Sequence, residues 1–324
     1  MSRQHPVTWQ RKQADLVNDE IEVLLASLSD VTGFCDIIRE PLAVVRRGIV
    51  TKAAGYKPWH LLPLIVSEAI SGHYEYAVPA SAALKLFMAA AEVFDDIEDA
   101  DAAGSLSARY GSAIAINAAT ALLILAERAL SQLKARNVAD CVIVRVMDAV
   151  NSFYSIACAG QHLDLSLTSK TAISEDTYLR VAYMKSATTI ECACHIGVLL
   201  ATTSQELIDS FTLFGHNLGM ASQIANDIQG ITSGSDIIKH KITLPVVYAL
   251  AHAEGEAHNQ LELAFSKPYE STHNPTQIKD LLFNCGAIHY AMIKMEIFKQ
   301  RALDILHEFG KAGVNLENLQ LFLE

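Results

Sequence analysis

The chain has little of what a nucleic-acid binder needs. Its 25 lysines and arginines face 36 aspartates and glutamates, a formal net charge of −11. No basic surplus is left to neutralise a phosphate backbone, so no nucleic-acid partner is expected. Charge itself is scarce, at 19% of 324 residues against 51% apolar, which excludes a disordered chain and predicts a large buried core. The first sixteen residues, MSRQHPVTWQRKQADL, lack the apolar stretch of a signal peptide. The longest apolar run, Ser112–Ala126, is shorter than a bilayer requires and contains Asn117, so it reads as a core helix and no membrane span is expected. The cysteines are Cys35, Cys141, Cys158, Cys192, Cys194 and Cys285, with no zinc-type clustering. Cys192 and Cys194, two residues apart on a helix, point in different directions and read as small core residues. That usage suits a reducing, cytoplasmic setting. No Pro/Gly-rich linker, composition shift or fixed-period repeat divides residues 1–324, which predicts a single domain.

What is present is helical periodicity. Apolar residues recur at three- and four-residue spacing through Leu16–Leu28, Leu61–Ile70, Ala80–Phe94, Ala113–Leu133, Val138–Ala159, Thr177–Thr202, Ser204–Gln229, Leu244–Ala253, Thr276–Phe283 and Ala287–Phe309. No alternating strand pairs lie between them. Several helices are apolar nearly all round, as in the centre of a large bundle. The fold class read from this is all-α, one large helical bundle.

Two polar knots interrupt the pattern. The first is EVFDDIEDAD, Glu92–Asp101, at the end of an apolar helix. Asp95 and Asp99 share a face, with Asp96 about 100° round. At about 4 Å and an effective dielectric near 20, each uncompensated pair costs roughly 4 kcal/mol. The helix C-terminus disfavours anions further. An exposed acidic helix end tolerates this in water. A buried one fits hard-cation binding, because Mg²⁺ takes one or two carboxylates and leaves its other positions to water and phosphate oxygens.

The second knot, GMASQIANDIQGITSGSDIIKHKITLP, places Gln223, Asn226 and Asp227 near the end of another apolar helix, then Asp236, Lys239 and Lys241. Asn-Asp there reads either as a cap or as oxygen ligands for a cation, and the lysines as anion contacts in an acidic protein. Between the knots, Arg180 and Lys185 are cations in an apolar helix, either snorkelling outward or reaching one end of the bundle. Gln161 and Asp164 in GQHLDL stand beside another apolar helix.

Together these stretches, from about Gly55 to Leu250, resemble the trans-isoprenyl diphosphate synthase family and its class I terpene synthase relatives. DDIED resembles the first aspartate-rich motif, QIANDIQG the second, KSA a Lys-Thr stretch, and DIIKHKITLP a segment ending G-K-x-T-L-P. The resemblance implies a bundle around a deep apolar cavity, three Mg²⁺ ions, an allylic prenyl diphosphate substrate and a homodimer. It also implies catalytic roles for Asp95, Asp96, Asp99, Lys185, Asn226 and Asp227. Asp95, Asp99 and Asn226 would be metal ligands; Arg180, Lys185, Gln223, Lys239 and Lys241 would bind diphosphate; Phe87, Ala90, Ala91, Gln161 and Ser222 would line the cavity.

The departures from the family pattern fall on the second substrate. Elongating members hold isopentenyl diphosphate with a Gly-Lys-Arg motif, a His or Gln before the first knot and an arginine pair after it. Here GYKPWH keeps only Lys57, Met88 takes the helix position, and Ala102–Ala103 stand where the arginines belong. Losing charged hydrogen bonds, each about 1.5–3 kcal/mol, weakens that site unless Arg46, Arg47 or Lys52 compensates. In the second knot Asn226 and Gly230 replace the first and last acids, and Asp236 is the carboxylate available to stand in. Small residues at Ala90, Ala91 and Ser222 predict room for a C15–C20 or longer chain. The expected function is therefore a terpene synthase; the alternatives are elongation with isopentenyl diphosphate and prenylation of a peptide or other acceptor.

Overall fold

The structure is a computed structural model that describes residues 6–44, 58–98, 104–167, 173–265, 274–310 and 316–323. Among the described residues there are helices and turns and no strand. The all-α expectation is met. The N-terminal half comprises α1 (Pro6–Leu25), α2 (Phe34–Val44), α3 (Leu62–Ser71), α4 (Val78–Glu98), α5 (Leu106–Tyr110), α6 (Ser112–Ser131) and α7 (Asp140–Leu167). The C-terminal half comprises α8 (Glu175–Ala182), α9 (Thr188–Ala201), α10 (Gln205–Ser233), α11 (Ser235–Ile238), α12 (Leu244–His252), α13 (Gly255–Phe265), α14 (Pro275–Asn284), α15 (Ala287–Gly310) and α16 (Glu317–Gln320).

Local chemistry sets these boundaries. Ser174 and Ser204 accept hydrogen bonds from Thr177 N and Leu207 N, capping α8 and α10. Pro63, Pro245 and Pro275 sit in first turns, where a missing N–H costs nothing. Along α4, residues Val78–Phe87 are buried without exception, and exposure begins where the acids do. α4 packs along α6, and α10 between α9 and α15, so the two helices that end in polar knots are both central.

The largest apolar cluster joins α1, α3, α4, α6, α9 and α10 around Leu64, Leu86, Leu122 and Phe211. At about 25 cal/mol per Å² of apolar surface, each fully buried leucine or phenylalanine contributes about 1.5–3 kcal/mol. Cys192 and Cys194 are buried and all six cysteines are free, as expected.

The expectation about membrane-length segments is corrected. By length and composition, Glu75–Glu98, Ser112–Arg136 and Asp140–Leu167 each reach what a bilayer crossing needs. They do so because helix continues through polar positions such as Asn117 that end an apolar run in the sequence. The window in Glu75–Glu98 is 78% buried inside the fold, that in Asp140–Leu167 only 11%.

Candidate active site

α4 delivers its acids to one end of the bundle, and α7 arrives beside them. Because α7 runs on to Leu167, Gln161 and Asp164 are helical and share a face. Gln161 Nε2 donates to Asp95 Oδ1 and to Glu98 Oε2, both at 2.9 Å. Gln161 thus braces the acids at the end of α4.

Lys185 joins the two helices from a third. It lies in a π-helical turn, Tyr183–Ala187, between α8 and α9. Such turns cost hydrogen-bond geometry and are frequent at functional sites. Its ammonium is 2.8 Å from Asp164 Oδ2 and 3.1 Å from Asp95 Oδ1. Burial opposes the charge, but Asp164 and then Asp95 hold the lysine above its usual range. Gly160 permits this approach: a Cβ there would lie 2.4 Å from Lys185 N and 2.5 Å from Met184 C, both backbone atoms. Gly160→Ala is therefore expected to push α7 from the π turn and cost about 1–3 kcal/mol, seen as a lower Tm in calorimetry.

The acids are not fully compensated by Lys185. Burial, then Asp96 and Asp95, push the Glu92 carboxyl up to about 7 from 4.5. Below pH 4.5 it is protonated folded and unfolded alike and has no effect on stability. Between 4.5 and 7 the unfolded chain ionises while the folded one keeps the proton, so metal-free stability falls as pH rises. Glu92→Gln removes that loss. In chelator it is expected to stabilise by about 1–2 kcal/mol at pH 8, allowing for partial solvation, and to do little at pH 4. Thermal unfolding at the two pH values checks this.

The second knot has a different structure. Asp227 is buried, and its oxygens are all spoken for: Tyr178 Oη and Leu244 N (3.0 Å) donate to Oδ2, Gln223 Nε2 (2.9 Å) to Oδ1. Burial pushes its carboxyl up to about 6, against the pull of those donors. Asp227 thus ties α8, α10 and α12 together, and Gln223 serves it. Asn226, half-buried, makes no side-chain hydrogen bond with the described residues. Tyr178 feels the charges of both Asp227 and Asp164, which links the second knot through Asp164 and Lys185 to Asp95.

Tyr178 was passed over in the sequence; its signal is its place seven residues, about two helical turns, before Lys185. Arg180 lies exposed, while Tyr178 takes the inward face of α8. Lys239 and Lys241 are exposed beside Asp236 and feel its charge. Of the cavity residues, Ala90 is fully buried in packing, whereas Ala91 is exposed on the Asp95 face and Ser222 is half-buried. Phe87 stacks on Tyr154 of α7, ring centroids 4.3 Å apart. Eight residues at 1.5 Å put that stack about 12 Å below Asp95. Asp99, Ala102, Ala103, Arg46, Arg47, Lys52 and Lys57 lie outside the described residues.

Among the described residues no three His, Cys, Asp or Glu side chains converge as a metal cage would. Mg²⁺ does not ask for one, since it binds through one or two carboxylates with substrate phosphates. A partly exposed Asp95 in an excess of negative charge and an unbonded Asn226 amide fit that donor set.

Comparison with known proteins agrees. The polyprenyl synthetase family model matches residues 51–282. A geranylgeranyl diphosphate synthase of Mycobacterium tuberculosis is 30% identical over 258 residues, 72% of each chain. A tryptophan prenyltransferase of Bacillus subtilis is 27% identical over 240 residues, 73% of this chain and 76% of that one. The structure of a geranylgeranyl pyrophosphate synthase of Corynebacterium glutamicum, complexed with isoprenyl diphosphate and magnesium, superposes with a TM-score of 0.75 at 21% identity, covering 92% of each chain, and shares the fold. A match over most of the length, with the acids, Lys185 and the second knot gathered at one end of the bundle, leads to one conclusion: the chain belongs to the polyprenyl synthetase family.

Proposed function

We propose that this chain is a Mg²⁺-dependent prenyltransferase that releases diphosphate from an allylic prenyl diphosphate and passes the prenyl group to an acceptor. The observation that supports it most is Lys185 held between Asp95 and Asp164, one cation shared by two helices at the mouth of the bundle. Asp95, Asn226 and, by its place in the motif, Asp99 would hold the metal, which supplies positive charge to the departing diphosphate. Lys185 adds a fixed cation beside it, in place before the reaction begins. Gln161 fixes the orientation of Asp95. The apolar walls below, closed by Phe87 and Tyr154, would take the prenyl tail and keep water from the allylic cation.

The terpene-synthase expectation gives way here. The relatives above are named for prenyl transfer. A missing arginine pair removes one kind of acceptor site but not every acceptor. Elongation with isopentenyl diphosphate is the leading reading. Ala102–Ala103 favour one further reading, a neutral aromatic acceptor that needs no cations. The proposal includes one domain and a homodimer, supported by the outward faces of α6 and α7, where Ile116, Ile124 and Val144 stay exposed.

The test is incubation with Mg²⁺ and farnesyl or geranylgeranyl diphosphate, with isopentenyl diphosphate, with a tryptophan-containing peptide, or with neither. A longer diphosphate only with isopentenyl diphosphate supports the leading reading, and a prenylated peptide the second. Hydrocarbon formed without any acceptor would reject both.

A further inference from the structure

We propose that His216, paired with Glu191, is a positioning residue: it staples the π turn Tyr183–Ala187 and so fixes the place from which Lys185 meets the diphosphate. The inference rests on the diphosphate reading of Lys185 above and names what holds that lysine from α10.

A π turn has poorer hydrogen-bond geometry than the α-helix on either side of it. Backbone of that kind persists where its surroundings fix it. Here Thr188 N donates to Tyr183 O, five residues back, and the wide ring so closed encloses Lys185. A return to α-helical spacing would displace a residue of the turn by about 100° of rotation. That would swing the Lys185 ammonium away from Asp164, now at 2.8 Å, and Asp95, now at 3.1 Å.

His216 touches both ends of the ring. Its imidazole packs on Tyr183, which opens the turn, with centroids 4.9 Å apart. Its Nδ1 donates at 3.0 Å to Oε2 of Glu191, which lies just past Thr188, where the turn closes. A carboxylate oxygen only accepts, so this bond fixes the proton on Nδ1 and the orientation of the imidazole. Glu191 is buried, and a buried carboxylate needs such a partner. Burial, and then the charge of Glu191, hold the Tyr183 hydroxyl above its usual range. One imidazole and one carboxylate therefore tie the first residue of the turn to the start of α9.

The backbone around this staple leaves little slack. A Cβ on Gly215 would lie 2.8 Å from Glu191 Cα, and one on Gly219 2.7 Å from Ala187 O. His216 stands between these glycines, on the stretch of α10 that meets α9 and the turn backbone to backbone. Gly160 of α7 meets the same turn at Lys185 N and Met184 C. Two helices thus grip the turn without side-chain spacers, and rotation about its own axis is the freedom that the staple removes.

The experiment has two arms, both on the full-length chain. Hydrogen exchange in chelator follows the amides of Ser186, Ala187 and Thr188. They are expected to exchange roughly tenfold faster in H216A, with α6 unchanged. Calorimetric titration with Mg²⁺ and a non-ionisable thiolo analogue of farnesyl diphosphate compares wild type, H216A, H216N, K185A and H216A/K185A. H216A is expected to weaken binding about tenfold, and H216N, whose amide still donates to Glu191, to stay within about threefold of wild type. In the K185A background H216A is expected to add less than about twofold, because a residue that acts through Lys185 has nothing left to position. Unchanged exchange in H216A, wild-type affinity in H216A, or an H216N as weak as H216A each overturns the inference. So does an equal loss in both backgrounds, the mark of a merely structural residue. Those outcomes leave the loss in K185A, and the functional reading with it, standing. A K185A that binds like wild type rejects the diphosphate reading itself, and the inference falls with it.

Discussion

Asp95→Ala is expected to lower Mg²⁺-dependent turnover of an allylic diphosphate by roughly 10²–10³-fold, the scale of losing one fixed electrostatic element from a transition state, with little loss of fold. Asp95 meets Lys185 at 3.1 Å and Gln161 at 2.9 Å, but neither partner is orphaned by its removal. Lys185 keeps Asp164 at 2.8 Å, and Gln161 keeps Glu98. Asp95 is also one of the charges that hold the proton on Glu92, so its loss relieves repulsion in the metal-free protein. Structure and function therefore separate at this residue: kcat/KM should collapse while Tm in chelator holds or rises. Steady-state kinetics alongside calorimetry measure both. A Tm that falls by ten degrees or more would make Asp95 a structural residue and remove it from the site.

Asp227→Ala is expected to do the opposite, unfolding the site before any chemistry is lost. The carboxylate is buried and receives three donors, from Tyr178, Gln223 and the Leu244 amide. Truncation strands buried donors on α8 and on the first turn of α12. A broken buried charged network costs about 3–5 kcal/mol. At about 2–4 °C per kcal/mol for a chain of this size class, Tm should fall by roughly 6–20 °C. Asp227→Asn should lose less, because the amide oxygen still accepts from one donor. Thermal melts of the two variants in chelator check the order. Equal, small losses would mean that Asp227 does not hold the three helices together.

The contrast between these residues shows what the sequence could reveal. The first knot was legible because its signal is local: a cluster of acids directly after an apolar run conflicts with burial whatever the rest of the chain does. Most helices were legible for the same reason. α2 and α13 were not among the expected helices: Pro41 lies inside one and Gly255 opens the other, and tertiary packing overrides those breaker residues. The expected helix ended at Ala159, whereas α7 runs on to Leu167 and carries Gln161 and Asp164, three residues apart, on one face. Long-range partners were not legible. Tyr178 and Asp227 are 49 residues apart, and nothing in either stretch announces the other. The same limit hid which face of α8 turns inward, since that is set by packing with residues distant in sequence. The close contact between Gly230 and the Asp236 carboxylate depends on a backbone reversal at Gly234, visible in sequence only as a glycine.

The central claim is that the two polar knots jointly hold a metal-bound diphosphate. Calorimetric titration with a non-ionisable thiolo analogue of farnesyl diphosphate tests it most directly, run with Mg²⁺ and again with chelator. The account predicts tight binding with Mg²⁺ and at least a hundredfold weaker binding without it, and a comparable loss in both Asp95→Ala and Lys185→Ala. Binding of equal strength with and without Mg²⁺, or unaffected by either substitution, would contradict it.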